Sequence, residues 1–207
     1  MFLFYYIHFI YIHKLKMGYK FQFNINDNLQ FEGDVECQRC IEINKKGNQC
    51  NKKTCIGTPY CWIHLLYNHK LKVKDSTIPN AGKGLFVIDK KAGDNDIIFR
   101  KNDKIITYGG ELINRDELED RYDEYTAPYG YQIDSNNFRD GALKRGVGTL
   151  GNNNAGRNNA KIVANKRNKT ASIKATNNIR NGSEIFISYG RDYRFDEPTS
   201  FRTYYKR

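Results

Sequence analysis

Short apolar runs broken by glycines and polar turns dominate the chain, and they follow strand spacing more often than helical spacing. Ile185-Phe186-Ile187, with Gly182-Ser183 before it and Gly190 after it, reads as a short buried strand that delivers Tyr189 at its end. Lys104-Ile105-Ile106-Thr107-Tyr108 has the same form, running into Gly109-Gly110. Further strands are expected at residues 84–88, 129–134, 160–164 and 171–175. Helical spacing stands out after Asn114, which can cap a helix with Glu117 closing a capping box. There Leu118, Tyr122 and Tyr125 form an apolar stripe. Residues 151–160, Gly-Asn-Asn-Asn-Ala-Gly-Arg-Asn-Asn-Ala, are too polar for regular structure and form either a loop or a backbone-rich ligand cradle. A tyrosine at a strand's end is most simply a ring packed in the core with its hydroxyl bonded, so the pattern alone assigns no chemistry.

The amino-terminal part differs. Residues 1–13, MFLFYYIHFIYIH, are apolar and aromatic but too short to span a bilayer, and they lack the flanks of a signal peptide. They fit an interfacial anchor backed by Lys14, Lys16 and Lys20, an edge strand, or an upstream extension if Met17 is the true start; the last, or plain disorder, is favoured. All five cysteines then fall in one window, Cys37-x2-Cys40-x9-Cys50-x4-Cys55-x5-Cys61-x2-His64. Such crowding makes a poor disulfide framework and a good metal site, and it implies a reducing, intracellular compartment, nucleus or cytoplasm, including that of a virus-infected host. These six ligands exceed the four that a tetrahedral zinc needs, and Cys61 and His64 stand one helical turn apart. Turns are expected at Lys45-Lys46-Gly47 and Gly57-Thr58-Pro59.

Composition sharpens the picture modestly. The length of 207 residues allows one ordinary domain and a small appendage. A net charge of +11 suits an anionic partner, yet 14% aromatic residues exclude a disordered basic tail. The richness in Asn, Ile, Lys and Tyr follows A/T-rich codons, so part of the basicity is discounted. Residues 35–74 hold eight Lys/Arg against two Asp/Glu, a surface that is either merely solvated or able to touch nucleic acid. Residues 111–126 invert the sign, with seven Asp/Glu against two Lys/Arg, forming a solvated face or a wall for a basic peptide. Residues 75–80 read as a linker.

Taken in order, four motifs resemble those of the SET-domain lysine methyltransferases. They are Gly82-Lys83-Gly84-Leu85-Phe86, then Tyr108-Gly109-Gly110-Glu111, then 153–159, and last Gly182 through Tyr193. Ser183 replaces an acidic residue of the last motif; in the third only Asn153 and Asn159 keep the family's letters, with Asn154 in place of a histidine. The match runs from about Thr77 to Tyr193. The Cys window resembles a small Cys/His module found in proteins of large DNA viruses and some eukaryotes, carrying K-K-G-x-Q-C and Y-C-W-I-H. That likeness picks Cys40, Cys50, Cys61 and His64 as zinc ligands and leaves Cys37 and Cys55 as spare thiols, or one of them as a substitute.

The resemblance implies a mainly β fold of the β-clip SET type, built of short sheets with few helices, plus a small Cys/His metal module. The domain reading is an extension at 1–34, the module at 35–74, the SET domain at 75–194 and an aromatic tail at 195–207. Implied by the same likeness are transfer of a methyl group from S-adenosylmethionine to a lysine of a basic protein such as a histone, without membrane attachment. Tyr189 would align the reacting atoms, Tyr108 would line the lysine channel, and Tyr193 would pack beside them. Gly82, Lys83, Gly84, Asn153 and Asn154 would hold the methyl donor. The family's cysteine-bearing carboxy-terminal segment is missing, and Phe195, Phe201, Tyr204 and Tyr205 would form either an aromatic lid in its place or a frayed tail. The alternative is a catalytically inactive SET-like protein that binds protein or nucleic acid through its Cys/His segment.

Overall fold

The computed structural model describes residues 18–44, 46–54 and 59–206; residues 1–17, and with them the aromatic segment 1–13, lie outside it. The first described element is a hairpin of β1 (Gly18–Ile25) and β2 (Asn28–Val35). Its turn residues Asn26 and Asp27 both have positive φ, as a tight primed turn requires. Phe21 and Phe23 point to one face and are fully buried. Next come the two-residue strands β3 (Gln38–Arg39) and β4 (Lys53–Thr54), which pair with each other. Helix α1 (Trp62–His69) ends at Lys70 in a left-handed cap. Strands β5 (Leu71–Asp75) and β6 (Lys83–Val87) pair along their full length, so residues 75–80 connect a hairpin and β5 crosses the boundary that composition draws there.

Strands β7 (Ile97–Phe99), β8 (Lys104–Thr107) and β9 (Glu111–Asn114) lead into α2 (Arg115–Tyr122). The capping box is formed: the Asn114 side chain accepts from Glu117 N, and the Glu117 side chain accepts from Asn114 N. The apolar stripe of α2 lands on the Phe21/Phe23 face, where Tyr122 is fully buried at 5.0 Å from the Phe23 ring and 5.9 Å from that of Phe31. Strands β10 (Gly130–Gln132) and β11 (Asn137–Asp140) complete a sheet of order β10-β11-β9. A 3-10 turn at Val147–Leu150 precedes the polar loop. Then follow β12 (Ala160–Asn165), β13 (Thr170–Ala175), β14 (Ile179–Arg180), β15 (Ile187–Ser188) and β16 (Thr199–Lys206).

The central sheet has the order β15-β12-β13-β8, and the main core, including Leu85, Ile106, Tyr108, Ile173, Ile185 and Ile187, packs against it. The expected strand at 185–187 is shorter than its hydrophobicity suggests: only Ile187 and Ser188 form regular pairs, parallel to β12. Glu184 and Phe186 instead make single bridges to Phe86 and Asn152, so the segment is gripped from several sides rather than laid along one strand. The ends of the sequence also depart from expectation. β16 pairs with β1 from Gly18↔Lys206 to Ile25↔Thr199, forming a sheet of order β16-β1-β2. Phe201, Tyr204 and Tyr205 therefore belong to a strand rather than to a lid or a frayed tail, because β1 presents an edge with unpaired backbone groups that β16 satisfies.

Candidate active site

Tyr108 emerges from β8 into a bend that only glycines permit. Gly109 and Gly110 have φ of +83° and +99°, and a side chain on Gly146 would run into the Tyr108 carbonyl. The buried Tyr108 hydroxyl donates to Tyr129 O at 3.0 Å. Tyr189, just past β15, donates to Gly151 O at 3.1 Å. Its ring stands 4.8 Å from Tyr193 and stacks on Phe195 at 6.2 Å, so of the four tail aromatics only Phe195 packs on a cavity tyrosine outside the terminal strand. Tyr131 donates to Ile162 O at 3.3 Å. Tyr108, Tyr129, Tyr131, Tyr189 and Tyr193 together line a cavity of about 40 Å³, room for a few heavy atoms. A wider groove of about 490 Å³ shares Tyr131, Tyr189 and Tyr193 with it and carries Glu124 and Asp192 on its walls.

Burial, then the neighbouring Tyr189, pushes the Tyr108 phenol well above its ordinary range. The Tyr189 phenol is pushed up by burial, then by Tyr193 and Tyr129, against a smaller pull from the Asn153 backbone. Both hydroxyls therefore stay protonated near neutral pH and act as oriented donors and oxygen contacts, not as bases.

Beside the cavity, two edges face each other. One is Gly82-Lys83-Gly84, where Gly82 (φ +69°) is open to space. The other is the loop around Asn153 and Asn154. Asn152 ties them, its Nδ2 donating to Lys83 O at 3.1 Å. Asn158 braces the loop by donating to Asn153 Oδ1 at 2.9 Å and accepting from Asn154 N at 3.0 Å. Asn159 clamps the segment leading into β15, donating to Glu184 O at 2.8 Å and accepting from Phe186 N at 3.0 Å.

Behind both edges sits Glu184, a buried carboxylate that the sequence reading passed over. It accepts from Ser76 Oγ and Thr77 N at 2.7 Å each, from Thr77 Oγ1 at 2.5 Å and from Asn152 Nδ2 at 3.4 Å. Burial would raise its pKa, but the Thr77, Ser76 and Asn152 bonds outweigh it and hold the carboxyl below its ordinary range. Gly84 has no room for a side chain because the Glu184 carboxylate occupies it. Tyr129 and Tyr131 were likewise legible only as strand residues. The one hint was their spacing around Gly130, which turns both rings to the same side.

A third cluster lies in the Cys/His segment. The ligand atoms of Cys40, Cys50, Cys61 and His64 all lie within 4.8 Å of one another. Cys61 is the N-cap of α1, which brings His64 Nδ1 to 3.4 Å from its sulfur. Cys40 Sγ is 3.4 Å from the same nitrogen, and Cys50 Sγ is 4.0 Å from Cys61 Sγ. Tetrahedral zinc with usual bond lengths demands roughly 3.5 Å and 3.8 Å for such pairs, so the donor set and spacing fit that ion. Cys37 is not among the four clustered ligands, and Cys55 lies outside the described residues.

Short sheets, few helices and a tyrosine-lined pocket beside β15 define a SET fold, mainly β, with two helices among the described residues. The SET domain family model matches residues 97–190, a stretch that contains Tyr108, Asn153, Asn154 and Tyr189 and begins after the Gly82–Phe86 strand. The chain is similar to the polycomb repressive complex 2 (PRC2) of Chaetomium thermophilum, at 23% identity and a TM-score of 0.47, covering 60% of this chain and 16% of that one. It is also similar to ctPRC2 in complex with H3K27me3 and H3K27M, at 22% identity and a TM-score of 0.46, covering 58% and 14%. The chain thus spans less than a fifth of either. No curated protein sequence matches it.

Proposed function

We propose that the protein is a protein-lysine N-methyltransferase, and the five-tyrosine cavity opening into a groove with Glu124 and Asp192 carries that reading. Bound at the Gly82–Gly84 and Asn153–Asn154 edges, S-adenosylmethionine would supply an electrophilic methyl group and a positive sulfonium. The groove's carboxylates attract a basic segment, as on a histone tail. The cavity admits an unbranched aminoalkyl end and strips it of water. A free lysine has a pKa near 10.4, and desolvation among aromatic rings disfavours its charged form. Because the tyrosines stay protonated, the amine loses its proton to water in the groove rather than to a side chain. Tyr189 and Tyr108, each fixed by a carbonyl acceptor, then hold the neutral nitrogen in line.

The test is transfer of labelled methyl from S-adenosylmethionine to histones. Tyr189→Phe is expected to cut kcat by about tenfold to a hundredfold with folding intact. No incorporation by the native protein overturns the reading. One observation favours the inactive alternative: the Asn154 N–H is already satisfied by Asn158, and its carbonyl accepts from Arg157 N at 2.8 Å. Calorimetry separates the two, since micromolar donor binding supports the enzyme and no binding supports a binding module. We also propose a structural zinc at Cys40, Cys50, Cys61 and His64, expected at one equivalent in protein purified without chelators. The basic surface of the same segment is a proposed nucleic-acid contact, tested by the salt dependence of oligonucleotide binding.

A further inference from the structure

Three charged side chains are buried among the described residues: Asp140, Glu184 and Arg145. Two are answered from within the chain. Asp140 accepts from Arg121 Nη1 and the Tyr122 hydroxyl at 2.8 Å each and from Ala142 N at 2.9 Å, and Glu184 has the four donors described above. Arg145 is different. It is 8% exposed, yet its guanidinium forms no ion pair among the described residues; one nitrogen donates to Thr203 Oγ1 at 2.6 Å, and Nε has no partner. Its remaining compensation is the face of Tyr129, 4.5 Å from the guanidinium carbon. A buried cation without an anion is costly, and native folds supply one.

Arg145 lines a cavity of about 270 Å³ between the Cys/His segment and the main sheet. Lys144 adds a second positive charge there, half exposed and 3.2 Å from Glu36. Gly110 contributes backbone with φ of +99°, while Ile41, Pro59 and Tyr60 form an apolar wall. We propose that this cavity is an oxyanion site, in which a phosphate or carboxylate group supplies the missing counter-ion of Arg145 with Lys144 beside it. The volume exceeds that of a bare anion, so the apolar wall would carry the organic part of a small phosphate ester or carboxylic acid. The site is independent of the methyl-transfer reading, but it touches the same architecture. The Tyr129 ring under Arg145 also lines the tyrosine cavity, and the Tyr129 carbonyl holds Tyr108.

The Arg145 Nε–H resonance, recorded in the full chain at fixed ionic strength, reads the site directly. Titration with inorganic phosphate and, separately, acetate is expected to shift it saturably, with chloride producing no such shift. Saturation by phosphate alone assigns a phosphate group; saturation by both assigns carboxylates as well. Lys144→Gln, at an exposed position, is expected to weaken binding roughly tenfold. Ile41→Glu, also exposed, places a carboxylate at the cavity and is expected to shift the Nε–H signal without ligand and to abolish the phosphate response. Arg145→Met should remove the phosphate-dependent rise in Tm if that variant folds. A flat titration with both anions, or a chloride response equal to phosphate, overturns the proposal, as does an Ile41→Glu protein that binds phosphate like the native one.

Discussion

The two sides of the candidate active site are held by opposite means. On the tyrosine side, rings pack on one another and the hydroxyls of Tyr108, Tyr131 and Tyr189 each rest on a main-chain carbonyl, so apolar burial supplies the rigidity and polar atoms only fix the aim. On the side of Gly82–Gly84 and Asn153–Asn154, four asparagines and one buried glutamate bind strand to loop. The lesson is that the tyrosine cavity tolerates the loss of one hydrogen bond, whereas the asparagine-glutamate edge depends on a network whose members fail together.

The largest way to break the contrast is Glu184→Ala. It leaves Ser76, Thr77 and Asn152 donors unanswered at one buried spot, so a loss of about 3 kcal/mol or more in urea unfolding is expected, with donor binding abolished in calorimetry. Glu184→Gln should restore part of both, which a mere packing role would not require. Next in size, Tyr108→Phe removes one bond to Tyr129 and is expected to cost about 1 kcal/mol while leaving donor affinity unchanged. A Tyr108→Phe protein as damaged as Glu184→Ala would erase the distinction.

The smallest effect lies in the terminal sheet, where Glu32 is held at about 2 by Lys20, then Gln22 and Tyr204. A carboxyl depressed on folding contributes stability above its unfolded value of 4.5, and that contribution drains away as the pH falls from there toward about 2. Because the group is partly open to solvent, salt should blunt the effect, whereas the acid sensitivity of Glu184, buried and also depressed, should survive added salt. Unfolding curves at two ionic strengths across that window check both.

Much of the channel was legible because its residues announce themselves locally: Tyr108 and Tyr189 each follow an apolar run and precede a glycine. The helix after Asn114 was legible for the same reason, its cap and stripe being contained in a dozen residues. For the Cys/His cluster, spacing placed Cys61 and His64 one turn apart at the start of α1, while the choice of Cys40 and Cys50 beside them came from the likeness to a Cys/His module. What stayed hidden depends on distance along the chain. Nothing near Glu184 says that Ser76 and Thr77 will meet it, and the β1–β16 pairing joins residues at opposite ends of the sequence. The run 185–187 misled in a milder way, because hydrophobicity reports burial and not ladder length.

That terminal pairing has a kinetic corollary. Phe21 and Phe23 leave the ribosome among the first described residues, yet the strand that covers β1, from Thr199 to Lys206, emerges only after every other described element. Such a high contact order makes this the late step of folding, and until then a flat aromatic face stays uncovered and prone to association. Phe21 and Phe201 are also the rings that brace Tyr129, at 6.0 and 5.6 Å. The nascent chain therefore carries an unbraced wall of the tyrosine cavity until β16 has emerged, and that cavity is expected to take shape abruptly with this strand rather than gradually with chain length.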